Sequence, residues 1–313
     1  MSASTDIARP PAASPPGRRR GDRRSRVLAS PYLLLAPALI VLAAVAAYPV
    51  FYGIRASFKT YRYGRDLGSA GLENYRAALH DTVFWQALWT TTRFVAIAVT
   101  IETLLGLGLA LLVAREIRFA SVFRIGLILP MTIAPVVVGV IWRLMYASDI
   151  GVVNPVFTGL GMGAPNVLAH PTSAFAGVIL VDVWEWTPLL FLIILAGLQS
   201  LPQEPLEAAR VDGAGPVRAF FDHTLPMLRP VLMVAVVLRV IDAIGTFDQI
   251  FVLTRGGPGT ATQLISTYAY NTAFQFTQYG RAMAMVVALL VLVLLLTIVA
   301  IRFMRRAAAR AAA

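Results

Sequence analysis

Long runs without a charged side chain are the feature that most limits how this chain can fold. From Tyr32 to Ile54 no charged residue occurs over twenty-three positions, and a helix of about 20 apolar residues crosses the hydrocarbon layer of a membrane. With 58% hydrophobic and 14% charged residues, the chain is too apolar for an ordinary soluble domain. The sequence therefore predicts an all-α integral membrane protein with six transmembrane helices. After the first run, the other five are at 85–113, 123–146, 173–198, 229–252 and 281–303.

The segments at the two ends of the chain are basic and polar. Residues 1–30 are rich in Pro, Ala, Ser and Arg and contain almost no side chain that could form a core, which predicts a disordered tail. The six-helix membrane domain is predicted to cover 31–304. Residues 305–313 are predicted to form a short basic tail.

The first apolar run has a second interpretation as a signal peptide. An Arg-rich start, an apolar run and the tripeptide Ala44–Ala46 are typical of a signal peptide with its cleavage site. The run continues beyond that tripeptide through Tyr48 and Phe51, and five further runs follow. We therefore favour an uncleaved helix, which detection of residues 1–30 by mass spectrometry of membrane-purified protein would confirm.

The placement of arginine and lysine predicts the orientation in the membrane, because cytoplasmic segments carry an excess of these residues. The N-terminal tail, the loops at 114–124 and 199–229, and the C-terminal end together hold seventeen arginines. The alternate loops, at 55–84, 147–172 and 253–281, hold seven Arg and Lys residues. Both termini and the 199–229 loop are therefore predicted to be cytoplasmic.

The composition also excludes several classes of function. A net charge of +11 would favour nucleic acid if the arginines shared one soluble face, but they cluster at the chain ends and between apolar runs. The chain has no cysteine, and its histidines are far apart in sequence, so neither a thiol nucleophile nor a metal site is predicted. The nearest match to an ATP-binding loop, Gly53–Thr60, has Phe58 in place of the second glycine. We therefore predict a protein that is not an enzyme and binds no cofactor or nucleic acid.

The polar stretch EAARVDGAG, from Glu207 to Gly215, lies between two apolar runs. Ser200 and Gln203 have the spacing of a capping box, and Gly213 is suited to the left-handed position that ends a helix. The following GAGPVRAFFDHT predicts a tight turn and a second short helix before the fifth span. The 200–226 loop is thus predicted to form a helix–turn–helix knob, although a plain solvated connection is the alternative.

The sequence EAARVDGAGPVRAFFDHTLP resembles the EAA loop of the permeases of ABC importers. In that family the loop forms coupling helices that insert into a cleft of the cytoplasmic ATPase. GLENYRAAL, WEWTPLLFLIILAGLQSLPQEPLEAARVDGA and TFDQIFVLTRGGPGTATQLISTYAYNTAF are similar to the sugar-permease branch, of the maltose-permease type. The resemblance covers roughly residues 32–303. The coupling residues it implies are Glu207, Ala208, Ala209, Asp212, Gly213, Leu225 and Pro226.

This resemblance implies the importer-permease fold with cytoplasmic coupling helices, in a multi-pass protein of the bacterial cytoplasmic membrane. The chain would form the translocation path for a sugar or related solute. Its implied partners are a second homologous permease, two ABC ATPase subunits that bind ATP and Mg, and an extracytoplasmic solute-binding protein. Lipid would surround the helices.

Ionisable residues inside the apolar runs tend to face the bundle interior or a water-filled cavity. Asp182 and Glu185, and likewise Arg239 and Asp242, are three positions apart and share a helix face. One hypothesis is that Arg239 neutralises an acid and holds helices together. The other is that these residues line a translocation cavity, where aromatic surfaces and carboxylates suit a sugar. The predicted path residues are Asp182, Trp184, Glu185, Arg239, Asp242 and Asp248, and Trp186 faces a different side of its helix from Trp184.

The outer loop after the fifth run is rich in glycine. Gly256, Gly257 and Gly259 around Pro258 permit a tight backbone path that side chains would obstruct. We predict that this loop borders the outer mouth of the path or the docking surface for the binding protein.

Three other functions are compatible with the same residues. A permease of the same superfamily could carry a polyol or a glycerophosphodiester instead of a sugar. An ion-coupled secondary transporter could carry protons on Glu102, Asp182 or Glu185, and its transport would stop when the proton gradient collapses. An intramembrane enzyme could use the paired carboxylates of the fourth run. The solute is not named by the sequence, and the neighbouring genes would narrow it most.

Overall fold

The computed structural model describes residues 31–114 and 120–311. The predicted tail at 1–30, part of the 114–124 loop and the last two residues of the basic tail lie outside this part of the chain. The described elements are α1 (Pro31–Ser57), β1 (Lys59–Arg62), β2 (Arg65–Ser69), α2 (Glu73–Leu79), α3 (Thr82–Ala114), α4 (Ala120–Ile128), a 3-10 helix (Leu129–Thr132), α5 (Pro135–Met145), α6 (Val153–Gly159), α7 (Pro171–Gln199), α8 (Glu204–Val211), α9 (Pro216–Ala219), a π-helical turn (Phe220–Thr224), α10 (Leu225–Gly245), α11 (Asp248–Leu253), α12 (Ile265–Phe274) and α13 (Tyr279–Ala311).

The chain divides into two units, Met1–Tyr52 and Gly53–Ala313. Strands β1 and β2 pair antiparallel as a hairpin at the start of the second unit. All the packing and all the sites described below lie within the second unit.

Within residues 31–114 and 120–311, four helices are long and apolar enough to cross a membrane. They are Leu35–Ser57 of α1, the whole of α3 and α7, and Tyr279–Met304 of α13. The number is five if α4 with its 3-10 extension and α5 count as one broken span. Helix α10, with three ionisable residues among its 21 residues, is more polar than these four helices. The helical membrane protein is confirmed, but six uninterrupted spans are not seen.

The predicted third span, 123–146, is broken by two prolines. Pro130 lies in the first turn of the 3-10 helix, and Pro135 begins α5. A residue before proline is disfavoured in the helical conformation, and Ala134 is extended, with φ −62° and ψ 135°. The two helical pieces are bent by 100°, so the predicted third span is not one continuous helix.

The predicted fifth span, 229–252, is also interrupted. Helix α10 ends at Gly245, and Thr246 leaves the helical conformation with φ −54° and ψ 126°. The freed carbonyl oxygen of Thr246 accepts a hydrogen bond from Ser266 Oγ at 2.6 Å, and α11 begins at Asp248. Non-helical backbone at membrane depth is tolerated where it is buried in protein or lines a polar cavity. The break at Thr246 therefore marks a place to look for a site.

Helices α3 and α7 pack closely against each other at Gly106. A Cβ atom at this position would lie 3.0 Å from the backbone nitrogen of Phe191 and 3.1 Å from Cβ of Leu190. Both of those α7 residues are 0% exposed. A small residue at such a crossing lets two membrane helices approach closely.

We expect Gly106→Val to destabilise the α3–α7 crossing by about 1–3 kcal/mol, because an overpacked core must shift its backbone or its rotamers. Gly108→Val is the matched control, since no atom lies within 4 Å of the Cβ built there. The abundance of each variant in membranes and its melting temperature in detergent measure the effect. Equal losses in both variants would contradict a tight crossing at Gly106.

One carboxylate joins three helices near the first residues of α3 and α13. Asp81 Oδ1 accepts a hydrogen bond from the backbone N–H of Val83 at 2.9 Å, and its Oδ2 pairs with Arg281 Nη2 at 2.6 Å. The hydroxyl of Tyr268, on α12, donates to the same Oδ2 atom. Burial and then this hydrogen bond raise the pKa of Tyr268 to about 12, so the phenol keeps its proton. Tyr268 is therefore a structural residue that fixes α12 against α3.

Candidate functional site

A fully buried arginine, Arg239 of α10, is the centre of the polar interior. Its side chain is 0% exposed. Nε donates to Oε2 of Glu102 at 2.8 Å, and Nη2 donates to Oε1 of the same carboxylate at 3.1 Å. This is the two-point pairing for which a planar guanidinium is suited. Because Glu102 belongs to α3, the pair joins α3 to α10.

Two further carboxylates share this guanidinium. Nη2 of Arg239 also donates to Asp182 of α7, and Nη1 donates to Asp242 at 2.9 Å. The guanidinium lies 5.1 Å from the ring centroid of Trp186, within the range of a cation–π interaction. We call Arg239, Glu102, Asp182 and Asp242 the charged cluster. One cation thus connects α3, α7 and α10, as the helix-pairing hypothesis predicts, although the sequence did not identify Glu102 as the partner.

Three of the predicted path residues face no open space in this structure. Asp182 and Arg239 are 0% exposed and Glu185 is 1% exposed, and none of them lines the cleft described next. That they line a translocation cavity stays a prediction. Glu185 Oε2 has no hydrogen-bond partner within the described residues. Trp184 is exposed and packs edge-on against Trp142, with ring centroids 5.5 Å apart.

A cleft of about 350 Å³ lies beside the charged cluster, at the break between α10 and α11. Of the predicted path residues, Asp242 and Asp248 line it. Trp186, and not Trp184, supplies an aromatic side chain to its wall. Its lining residues are Pro135, Trp186, Ile241, Asp242, Gly245, Thr246, Phe247, Asp248 and Gln249.

The wall of this cleft contains two carboxylates and no lysine or arginine. The Asp242 side chain is 48% exposed although it pairs with Arg239. Gln249 is 2% exposed and donates from Nε2 to Asp182 Oδ1 at 2.5 Å. Its Oε1 accepts no hydrogen bond within the described chain. The arrangement provides acceptors for hydroxyl groups next to an aromatic ring. Thr246, Phe247 and Gln249 were missed by sequence reasoning, since only the break in the helix places them there.

The 200–226 loop begins differently from the prediction. Ser200 closes α7, with its Oγ donating to the carbonyl of Gly197 at 2.8 Å, so it forms no capping box with Gln203. Instead the carbonyl of Gln203 accepts hydrogen bonds from the N–H groups of Leu206 and Glu207, at 3.0 and 2.9 Å. A serine in the C-terminal turn of a helix can satisfy that helix instead of starting the next one. Helix α8 then runs from Glu204 to Val211.

The end of α8 is a Schellman motif. Gly213 has φ +79°, and the N–H of Ala214 donates to the carbonyl of Ala209 at 2.9 Å, which is the long hydrogen bond of that motif. Glu207 and Ala208 are exposed, whereas Ala209 is buried. The predicted helix stop at Gly213, beyond the exposed Asp212, is therefore present.

The second half of the loop continues directly into α10. Ala219, Phe220, Thr224 and Leu225 all have helical dihedral angles, so α9, the π-helical turn and α10 form one helical stretch from Pro216 to Gly245. The second short helix predicted before Leu225 and Pro226 is present at Pro216–Ala219, but it continues into α10 without ending. A π-helical turn inserts an extra residue without ending a helix.

Apolar side chains lie exposed on the surface of this loop. Val211 is 88% exposed, Val217 69% and Phe221 58%. Large exposed apolar side chains close together in one loop are typical of a contact surface for another protein.

The outer loop that follows α11 is held by threonine side chains. Thr262 is 1% exposed; its Oγ1 lies 2.7 Å from Oγ1 of Thr254 and 2.9 Å from the carbonyl of Gly257. Positive φ values occur at Gly256 (+91°) and Gly259 (+60°) but not at Gly257, which precedes Pro258 in a cis peptide bond. Arg255 also has a positive φ, of +53°. Any side chain placed at Gly256 or Gly259 would be strained in the same way.

We expect Gly256→Val to reduce uptake several-fold, because its φ is poor for valine and its Cβ would lie 3.2 Å from Cβ of Gln263. Gly257→Val should have a smaller effect, since the nearest atom to its Cβ is the Thr254 carbonyl oxygen at 3.3 Å and its φ is not positive. Uptake and membrane abundance are measured together. Normal uptake in Gly256→Val would reject a role for this loop.

Apolar helices around a charged cluster, with a polar cleft at a helix break, define an integral membrane protein with a polar interior. Residues 102–312 match the family model described as the binding-protein-dependent transport system inner membrane component. The chain is 38% identical over 269 residues to the trehalose/maltose transport system permease protein MalF of Thermococcus litoralis, covering 86% of this chain and 91% of that protein. It is 36% identical over 286 residues to the sulfoquinovosyl glycerol transport system permease protein SmoG of Agrobacterium fabrum, covering 91% and 92%.

A solved structure has the same fold. A chain of a bacterial ABC transporter involved in the import of the acidic polysaccharide alginate superposes with a TM-score of 0.78 at 23% identity, covering 91% of this chain and 96% of that chain. The protein therefore belongs to the family of inner membrane components of binding-protein-dependent transport systems. It is a membrane permease of the ABC importer class, as the EAA-loop resemblance predicts.

Proposed function

We propose that this permease forms the translocation path for a sugar or related solute that an extracytoplasmic binding protein delivers. The relatives from Thermococcus litoralis and Agrobacterium fabrum are described as permeases for trehalose/maltose and for sulfoquinovosyl glycerol, which supports a sugar. The cleft beside Trp186, with the carboxylates of Asp242 and Asp248 in its wall, would be part of the path. The buried Asp182, Glu185 and Arg239 would form the wall behind it.

The observation that carries the proposal is the unbroken helical stretch from Pro216 to Gly245. One end belongs to the exposed 200–226 loop, and the other end carries Arg239 and Asp242. The fourteen residue steps from Leu225 to Arg239 correspond to a rise of about 21 Å. A partner that moves the loop would therefore also move the wall of the cleft.

The proposed topology has six transmembrane stretches, with both termini and the 200–226 loop in the cytoplasm. The broken segments at 123–146 and 229–252 would count as the third and fifth stretches. The excess of arginine on one set of loops supports this orientation. The partners would be a second homologous permease, two ABC ATPase subunits on the loop and the binding protein on the opposite face.

ATP and Mg would bind to the partner ATPases, and this chain would have no cofactor and no enzymatic activity of its own. Glu207, Ala208 and Asp212 are exposed on the loop and would contact the ATPase directly. Gly213 and the buried Ala209 would set the shape of the knob. Leu225 and Pro226, the first two residues of α10, would connect it to the membrane helix.

Reconstitution of the whole complex in proteoliposomes tests the proposal. Uptake should require ATP on the side of the ATPase and should continue when a protonophore abolishes the proton gradient. Uptake that stops with the gradient and persists without the ATPase would instead identify a secondary transporter. Uptake of a polyol or a glycerophosphodiester, but of no sugar, would show that the protein is instead a permease of the same superfamily that carries those solutes.

A further inference from the structure

Four aromatic rings next to the cleft form one cluster, which we call the aromatic platform. The ring centroids of Phe247 and Phe251 are 5.1 Å apart, and Tyr270 lies 5.0 and 4.9 Å from them. Phe274 extends the cluster, 4.9 Å from Tyr270. Phe247 is also a wall residue of the cleft, so the platform and the cleft are continuous.

The rings of the platform are accessible and not sealed in a core. Phe274 is 64% exposed, and Phe247, Phe251 and Tyr270 are half-buried. In comparison, the core residue Phe94 is 0% exposed.

The hydroxyl group of Tyr270 has no hydrogen-bond partner in the part of the chain that the structure describes. In contrast, the hydroxyl of Tyr268, two residues earlier, is bound to Asp81. The two tyrosines of α12 therefore differ in role. Tyr268 anchors the helix, and Tyr270 presents a ring face and an unused donor beside the cleft.

The direction of α12 determines how the platform extends from the break at Thr246. The N–H of Ile265, at the start of α12, donates to Oγ1 of Thr91 at 2.9 Å, and Thr91 lies about 13 Å along α3 from its first residue. Phe274, at the end of α12, is close in sequence to the first residue of α13. The platform thus extends from the cleft toward the ends of α3 and α13 that are proposed to be extracytoplasmic.

The chemistry of the platform and of the cleft selects one class of solute. Pyranose rings have flat apolar faces that pack on aromatic rings, and their hydroxyl groups donate to carboxylates and amide oxygens. Asp242, Asp248 and the unpartnered Oε1 of Gln249 are such acceptors. The wall contains no cationic side chain, and the guanidinium of Arg239 behind it is buried and bound to three carboxylates. An anionic solute would be repelled, and an acyclic polyol has no flat face to stack.

We propose that the aromatic platform binds the ring face of an uncharged pyranose sugar on the outer side of the cleft and so determines which solutes this permease accepts. The inference rests on the function proposed above and goes further, because it names the solute class and four residues that select it. Relatives that carry sulfoquinovosyl glycerol or alginate move acidic solutes, so the class is not set by the fold.

The test uses the complete importer with its binding protein in proteoliposomes, and measures uptake and ATP hydrolysis in the same sample. The first measurement offers four probes: trehalose, maltose, the anionic sulfoquinovosyl glycerol and the acyclic sorbitol. We expect uptake of trehalose or maltose and no uptake of sulfoquinovosyl glycerol or sorbitol. Uptake of only the anionic or only the acyclic probe would overturn the inference and leave the importer assignment intact. Uptake of any probe that persists without ATP and without the ATPase would contradict the proposed function itself.

The second measurement removes a flat ring while keeping an apolar side chain. Phe274→Leu and Phe251→Leu should lower the amount of sugar transported per ATP hydrolysed by about threefold to tenfold, the loss expected for one aromatic contact. Phe276→Leu is the matched control, because Phe276 is 56% exposed in the same segment and makes no ring contact with the platform among the described residues. An unchanged ratio in Phe274→Leu and Phe251→Leu would overturn the inference. Loss of the second permease from the purified complex in these variants would also overturn it, since the rings would then be a subunit contact.

Discussion

Arg239→Ala should destabilise this protein by about 3–5 kcal/mol and leave little of it in the membrane. Breaking a buried ion pair by removing one partner leaves an uncompensated charge in a medium of low polarity. Here one guanidinium serves Glu102, Asp182 and Asp242, and the first two are 0% exposed. The measurement is membrane abundance by immunoblot, together with the melting temperature of the purified chain.

Two further variants test whether the effect of Arg239→Ala comes from the loss of its buried charge. Arg229→Ala removes an exposed arginine from the same helix and should leave abundance unchanged. Glu102→Gln combined with Arg239→Met should recover part of the abundance, because both charges of the two-point pair are removed together. Normal abundance with altered uptake in Arg239→Ala would show that the arginine acts on the solute and not on helix packing. Normal abundance and normal uptake would defeat both hypotheses.

Gly213→Val should abolish uptake although it lies outside every apolar run. Gly213 has φ +79°, and the left-handed conformation costs a side chain with a Cβ about 1–2 kcal/mol and more when it is β-branched. No atom lies within 4 Å of the Cβ built there, so the effect comes from the backbone alone. The Schellman end of α8 would be lost, and the partner ATPase would be released from an otherwise inserted chain.

The loop provides a control for this prediction at Gly215. That residue has φ −66° and ψ 165° and equally open surroundings, so Gly215→Val adds the same side chain without backbone strain. Gly213→Asn should be milder than Gly213→Val, because asparagine tolerates the left-handed region. Co-purification of the ATPase and uptake are measured for each variant. Full ATPase retention and full uptake in Gly213→Val would mean that the loop is only a connector.

Reversal of a surface charge in the same loop should act more weakly. Glu207 is exposed on α8, so Glu207→Lys should weaken ATPase co-purification by a modest factor. The loss should become smaller at high salt, because solvent-exposed charges are screened. A defect that is independent of salt would argue against an ion pair at this residue.

The sequence by itself determined the class of protein and the point at which α8 ends. Charge-free stretches of membrane-crossing length can be satisfied only by helices, so the helical membrane fold follows from hydropathy alone. The stop at Gly213 also follows locally, because the left-handed position depends on the residue itself and not on distant contacts. The EAA-loop sequence was sufficient to identify the family of importer permeases.

Only the tertiary structure decided where the charges meet and where the cleft opens. Arg239 and Glu102 are 137 positions apart, and helical periodicity relates residues three or four positions apart but not residues on different helices. The cleft depends on the break at Thr246, whose carbonyl is satisfied by Ser266 of another helix, a hydrogen bond that no local pattern predicts. The platform joins Phe247 and Phe251 to Tyr270 and Phe274 in the same way, since rings from two separate segments form one surface only after the chain has packed.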